Sequence, residues 1–218
     1  FSKFKIAPFD NVSPESGADC SLYKAGLERI RVAHDAMDGH GTLMVDCHWR
    51  LSMDCAMDLL KLAAELDLGW IECALPEAPM NISDLVRYRS ECNSAGITVA
   101  GGEQGTSLSY FCRILNEGCY DIIMPDVKYV GGIRRLLQIS ELAAENQVTF
   151  SPHNPSGPVA HLASLHAAAV IENLSILEHQ YDEAPLFWEL GSISLPQIQN
   201  SHSELPRHSG LGFALSNK

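Results

Sequence analysis

The feature that most constrains this chain is a beat of six polar residues, Asp46, Glu72, Glu103, Asp126, His153 and Glu178, each closing a short apolar run at gaps of about 23 to 31 residues. The runs read GTLMVD, LGWIE, ITVAGGE, CYDIIMPD, VTFSPH and LSILE, and stretches with helical periodicity follow them. Strand, polar tip and helix in repetition is the pattern of parallel strands, which run the same way only if a helical crossover returns the chain. In a parallel barrel the strand C-termini meet at one face and carry the chemistry, so the six tips are candidate site residues.

A seventh strand opens the chain. FSKFKI alternates, which sends Lys3 and Lys5 to one face and Phe4 and Ile6 to the other, so that two lysines face a barrel interior. A lysine there needs an acid partner or a lowered pKa, and Glu72 and Glu178 are the candidate partners. The spacing predicts helices over 23–37, 53–66, 82–95, 107–117, 133–146 and 158–170, the first with its apolar face at Leu27, Ile30, Ala33 and Ala36 or Met37. Residues 1–180 therefore read as a barrel portion, and 181–218, rich in Pro, Ser and Gly, as a loop-rich tail that closes the domain. A closed barrel takes eight strands and about 250 residues. This chain of 218 begins inside a strand, so a first strand and a preceding domain are expected outside it.

At 46% hydrophobic and 19% charged the chain can bury one substantial core. A formal net charge of −12 with no Lys/Arg cluster argues against nucleic-acid and membrane-surface partners, and leaves open an anionic substrate bridged by a cation. Seven cysteines, odd in number and without a C-x-x-C pair, suit reduced thiols in a cytoplasmic protein. No apolar run reaches transmembrane length. Gly101-Gly102 and Gly131-Gly132 form no phosphate-binding pattern and read as turns and a helix start.

Asp46, Glu72 and Glu103 end three consecutive strands. Like carboxylates packed together repel unless a cation or proton neutralises them, and an all-oxygen set with open positions suits Mg²⁺. Asp126 and His153 end neighbouring strands, and a carboxylate beside an imidazole fixes its tautomer and suits it to general-base work near neutral pH. Each group also has a plainer reading, as a loop acid or as a hydrogen-bonded histidine in the turn SPHNPSGP. His161 and His166 fall inside a helix and read as solvated or packing residues.

Seven segments, in order, resemble the barrel domain of the enolase superfamily and, within it, the mandelate racemase group: KFK (Lys3 to Lys5), MVDCHWR (Met44 to Arg50), WIE (to Glu72), GGE (to Glu103), MPD (to Asp126) followed by GG, SPHNPSGPVA (around His153) and ILE (to Glu178). The resemblance implies an α/β fold, a TIM-like (β/α)7β barrel lacking its first strand and the α+β capping domain that precedes it. It implies Asp46, Glu72 and Glu103 as Mg²⁺ ligands, Asp126 with His153 as the dyad that supplies one base, Lys5 as a base on the opposite face, and Glu178 as a hydrogen-bond partner of a substrate carboxylate. The muconate-lactonising group carries lysine where Asp126 stands. The D-x-H-x-R run, which brings in His48 and Arg50, is similar to that of sugar-acid dehydratases of the galactonate type, where the histidine protonates the departing hydroxide. Those enzymes lack the K-x-K lysine, and their acid-rich run after the second ligand is replaced here by WIECALPE, with Cys73 next to Glu72. The expected activity is Mg²⁺-dependent dehydration of a sugar acid, a small carboxylate bound with help from Lys3 and Arg50, by a homo-oligomer. A racemase or epimerase on the same site and a non-catalytic barrel fragment are the alternatives.

Overall fold

The computed structural model describes residues 1–180, 184–192 and 195–216. They divide into two compact units, Phe1–Gly102 with Asn116–Ile122, and Glu103–Leu115 with Ile123–Lys218.

In the first unit, strands β1 (Lys3–Ile6), β2 (Thr42–Asp46), β3 (Trp70–Glu72) and β4 (Thr98–Gly101) lie side by side in chain order. All three pairings are parallel, and the register sets Lys5 beside Met44, Asp46 beside Glu72 and Glu72 beside Ala100. Leu43, Met44 and Val45 are buried in succession, as a parallel strand covered on both faces requires. Helices α1 (Ser21–Met37), α2 (Met53–Glu65) and α3 (Ile82–Ser94) alternate with these strands along the chain. The Ser52 side chain caps α2 by accepting from the Cys55 N–H at 3.3 Å. On α1 the buried face is Tyr23, Gly26 and Ile30, which corrects the expected stripe: Ala36 is exposed, and Leu27 and Ala33 are half-buried. The cause is Phe9, whose ring stacks on Tyr23 at 5.6 Å and lies against Gly26, where a Cβ would strike it.

The short strand β5 (Ile122–Ile123) ends the first unit with Ile122 and opens the second with Ile123. In the first unit Asp121, just ahead of it, donates its N–H to Val99 O at 3.0 Å and accepts from Val99 N–H on its carboxylate at 2.9 Å. In the second, β6 (Thr149–Phe150) follows alongside, with Ser151 N–H donating to Ile123 O at 3.0 Å. Helices α4 (Leu108–Asn116, its last residue in the first unit), α5 (Ile133–Glu145) and α6 (Pro158–Ala168) complete the expected set of six. Pro158 stands at the start of α6, where its missing N–H costs nothing.

Two expectations are corrected here. The run LSILE is not a full strand. It makes one parallel bridge, Leu174 with Phe150, and side chains take over neighbouring rungs: Asn173 Nδ2 donates to Val148 O at 2.9 Å and Ser151 Oγ to Ile176 O at 3.0 Å. The tail is also more than loops. It forms a short helix α7 (Leu186–Glu189) and a hairpin of β7 (Ile198–Gln199) with β8 (His202–Ser203), and it closes on itself where Ser192 N–H donates to Ala214 O at 2.8 Å. Leu162 and Leu165 of α6 form a core with Leu195, against which Phe187, Leu211 and Phe213 pack, so apolar residues scattered through the tail tie it down. Residues 181–183, 193, 194, 217 and 218 of that tail, including its expected start at position 181, lie outside the described residues.

Candidate active-site residues

In the first unit the register places the Asp46 and Glu72 carboxylates side by side at the ends of β2 and β3, 5% and 0% exposed. Two buried like charges require compensation. Lys5 provides part of it: its Nζ lies 2.7 Å from Glu72 Oε1 and 3.8 Å from Asp46 Oδ2, while Trp70 Nε1 donates to Glu72 Oε2 at 3.1 Å. His48 provides more. Both His48 and Trp49 take left-handed backbone angles, φ 48° and 58°, a conformation that costs a non-glycine residue roughly 1–3 kcal/mol and turns the chain back on itself. That turn lets Asp46 accept twice, from the His48 N–H on Oδ1 at 3.0 Å and from the ring Nε2 on Oδ2 at 3.0 Å. Burial would raise the Asp46 pKa, but the His48 hydrogen bond and the Lys5 charge outweigh it and hold the carboxyl below its usual range. The same bond to Asp46 outweighs burial at His48 and raises its pKa above that of an ordinary imidazole. The contact thus favours the ionised form of Asp46 and the protonated form of His48.

In the second unit Asp126 and His153 are joined by a parallel bridge at the ends of neighbouring strands. Asp126 is buried. Its Oδ1 accepts from the Lys128 N–H at 2.7 Å, and its Oδ2 lies 2.9 Å from His153 Nδ1 and 3.3 Å from Lys128 Nζ. Burial pushes the Asp126 pKa up, yet the bond to His153 and the backbone and charge of Lys128 prevail, and the group stays ionised. An ionised carboxylate only accepts, so Nδ1 carries the hydrogen of this bond and Nε2 is the nitrogen turned away from Asp126. That Nε2 faces Glu103 Oε2 at 3.5 Å. Glu178 is positioned from the same loop: its Oε2 accepts from Asn154 N–H at 2.7 Å, and Asn154 Nδ2 donates both to Glu178 O at 2.8 Å and to His161 Nδ1 at 2.9 Å.

Of the residues expected from the sequence, the structure brings Lys5, Asp46, His48 and Glu72 together in the first unit, and Glu103, Asp126 and His153 in the second. Lys3 is exposed at the start of β1, two residues below Lys5. Arg50 is engaged elsewhere, with Nη1 donating to Phe9 O at 2.9 Å and pairing with Asp10 at 3.1 Å. His161 is a packing residue, 3% exposed, its ring 5.1 Å from that of His179, and burial pushes its pKa down to about 4. Three participants escaped sequence reasoning. Lys128 and Asn154 sit beside motif residues, in MPDVK and PHN, and proximity in the chain was the only signal. Trp70 reads as an ordinary core aromatic until its ring N–H is seen on Glu72.

Parallel strands with helical crossovers, tipped by acids and histidines, define an α/β chain of the class whose chemistry sits at strand C-termini. Residues 1–218 match the Enolase C-terminal domain-like family, and the chain belongs to it. It is 30% identical over 190 residues to the D-xylonate dehydratase of Haloferax volcanii, covering 87% of this chain and 44% of that one. To the D-galactonate dehydratase of Variovorax paradoxus it is 31% identical over 156 residues, covering 72% and 39%. Among solved structures, an enolase protein from environmental sequencing of the Sargasso Sea aligns with TM-score 0.86 at 26% identity over 100% of this chain and 57% of its own. A mandelate racemase/muconate lactonizing enzyme-like protein of Rubrobacter xylanophilus aligns with TM-score 0.81 at 25% identity, over 92% and 50%. The chain spans about half the length, or less, of the curated relatives it matches. Among the described residues no helix is long and apolar enough to cross a membrane.

Proposed function

We propose that this chain carries the catalytic residues of a Mg²⁺-dependent sugar-acid dehydratase, which takes the proton next to the substrate carboxylate and expels the neighbouring hydroxyl to give a 2-keto-3-deoxy acid. The observation that carries this reading is the D-x-H turn after β2. The ring Nε2 of His48 lies 3.0 Å from Asp46 Oδ2, a contact that raises the imidazole pKa and so favours the acid form that a departing hydroxide requires. The names of the relatives, dehydratases of xylonate and galactonate, support the same reaction and a sugar acid as its substrate class.

The residues fit a hard cation. Asp46 and Glu72 offer buried carboxylate oxygens from adjacent strand ends, the donor type a hard cation takes. Asp46, Glu72 and, by family resemblance, Glu103 would hold Mg²⁺, which when bound stabilises negative charge on the substrate carboxylate; a Lys or His base working beside Mg²⁺ is the recurring arrangement of enolase-superfamily sites. His153 takes the α-proton on Nε2, because Asp126 fixes the hydrogen on Nδ1 and then stabilises the imidazolium. The His48 proton joins the leaving hydroxyl as the C–O bond breaks, so water departs, and the enol left behind tautomerises to the ketone. Glu178, held by Asn154, is the proposed contact for a carboxylate oxygen of the substrate. Lys5, which the family resemblance makes a base on the opposite face, lies 2.7 Å from Glu72 Oε1, where its ammonium form would balance carboxylate charge.

Proton NMR of a panel of hexonates, pentonates and aldarates in D₂O, with Mg²⁺ and the full-length protein, tests this. Dehydration removes the α-proton signal and creates a 3-deoxy methylene. Exchange at the α-carbon with the skeleton intact would instead identify an epimerase, and that reading also expects His48→Asn to leave exchange unchanged.

A further inference from the structure

Cys73 follows Glu72 directly, and on an extended strand the two side chains would point to opposite faces. A φ of 46° at Cys73 breaks that alternation. The thiol consequently comes within 4.8 Å of a carboxylate oxygen of Asp46 and of Glu72, all three residues being buried. Its Sγ lies 3.8 Å from Glu77 Oε1, an oxygen that also accepts from Gly102 N–H at 2.9 Å and from Tyr120 Oη at 2.7 Å. The Glu77 carboxylate beside the thiol is therefore itself fixed in place.

We propose that Cys73 is a further donor to the cation held by Asp46 and Glu72, and that it gives the site a preference for thiophilic divalent ions such as Co²⁺ and Zn²⁺ over what carboxylates alone would provide. Mg²⁺ takes oxygen ligands and gains nothing from sulfur, whereas later first-row ions bind thiolate strongly. When such an ion enters, the S–H bond breaks, a sulfur–metal bond forms and the proton is released to solvent; no electron is transferred and no co-reactant is needed. The inference rests on Asp46 and Glu72 as cation ligands and is independent of the reaction proposed for them.

The test is titration of the full-length protein and of Cys73→Ser with Co²⁺, followed by absorption spectroscopy, with Mg²⁺ binding measured separately by calorimetry. The expected result is a saturable sulfur-to-cobalt charge-transfer band in the near ultraviolet that the serine variant lacks. The variant should also bind Co²⁺ roughly 10- to 100-fold more weakly, the scale on which even indirect ligand partners act, and keep its Mg²⁺ affinity. Co²⁺ binding without the band, or with equal affinity in the two proteins, overturns the role of Cys73 and leaves the carboxylate site standing. Failure of both Mg²⁺ and Co²⁺ to bind removes the carboxylate site as well.

Discussion

Each unit contains an aspartate–histidine pair among its candidate site residues, and these two pairs are wired differently. In the first, Asp46 and His48 are two residues apart, the contact is through Nε2, and the ring is 39% exposed. In the second, Asp126 and His153 come from neighbouring strands, the contact is through Nδ1, and the ring is 11% exposed. A carboxylate on Nε2 engages the outer nitrogen, and a carboxylate on Nδ1 engages the inner one. On the proposed mechanism the same two residue types would give an acid in one place and a base in the other, and what separates them is which nitrogen the backbone presents.

The sharpest way to break that comparison is at the base. His153→Gln should lower both dehydration and α-proton exchange by about 10²- to 10⁴-fold, while His48→Asn should remove dehydration and spare exchange; NMR in D₂O reads both. Equal loss of both processes in the two variants would erase the distinction. Next in size is the countercharge that Lys5 gives the first pair. Lys5→Met leaves Asp46 and Glu72 buried with less compensation, and should cost about 3–5 kcal/mol in urea unfolding, with partial recovery on adding Mg²⁺.

A smaller effect follows from the support beneath the second pair. His161 accepts from Asn154 and is held neutral by burial, with a pKa near 4 against 6.5 for a free imidazole. The unfolded chain therefore binds the proton first. Stability is level above pH 6.5 and falls as the pH drops toward 4, by up to roughly 3 kcal/mol, with His179 acting in the same direction because burial lowers it too. His161→Gln, which keeps an acceptor for Asn154 and does not titrate, should flatten that slope in urea melts at a series of pH values. The contribution of His48 has the opposite sign: its raised pKa stabilises below pH 6.5 and is lost as the pH rises through the folded value. The smallest effect serves as a control away from either pair: Ser52→Ala removes the cap of α2 and should cost about 1 kcal/mol with no change in either histidine's chemistry.

Much of this was legible in the sequence, for reasons particular residues make clear. The helix expected over 53–66 is Met53–Glu65, and that expected over 133–146 is Ile133–Glu145, because an amphipathic repeat with polar breaks declares itself locally. Asp46, Glu72 and Glu103 stand out in the sequence as candidates because each ends an apolar run. The face of α1 could not be read there, since it depends on Phe9 arriving from an earlier loop. Nor could the reduction of LSILE to a single bridge, where Asn173 and Ser151 use side chains in place of the ladder. The tail looked like loop because its apolar residues are spaced for contact with α6 rather than for any period of their own.

By itself the sequence determined the alternation of strand and helix, the acidic and imidazole residue types at the strand ends, and the family to which they belong, since periodicity and motif are properties of neighbours in the chain. The tertiary structure decided the chemistry available to those residues. Register brought Asp46 beside Glu72, left-handed backbone at His48 and Cys73 turned side chains toward carboxylates that extended backbone would have pointed them away from, and a bridge put Asp126 on His153 Nδ1. Protonation and ligation depend on distances of about 3 Å between groups far apart in the chain, and only folding fixes those.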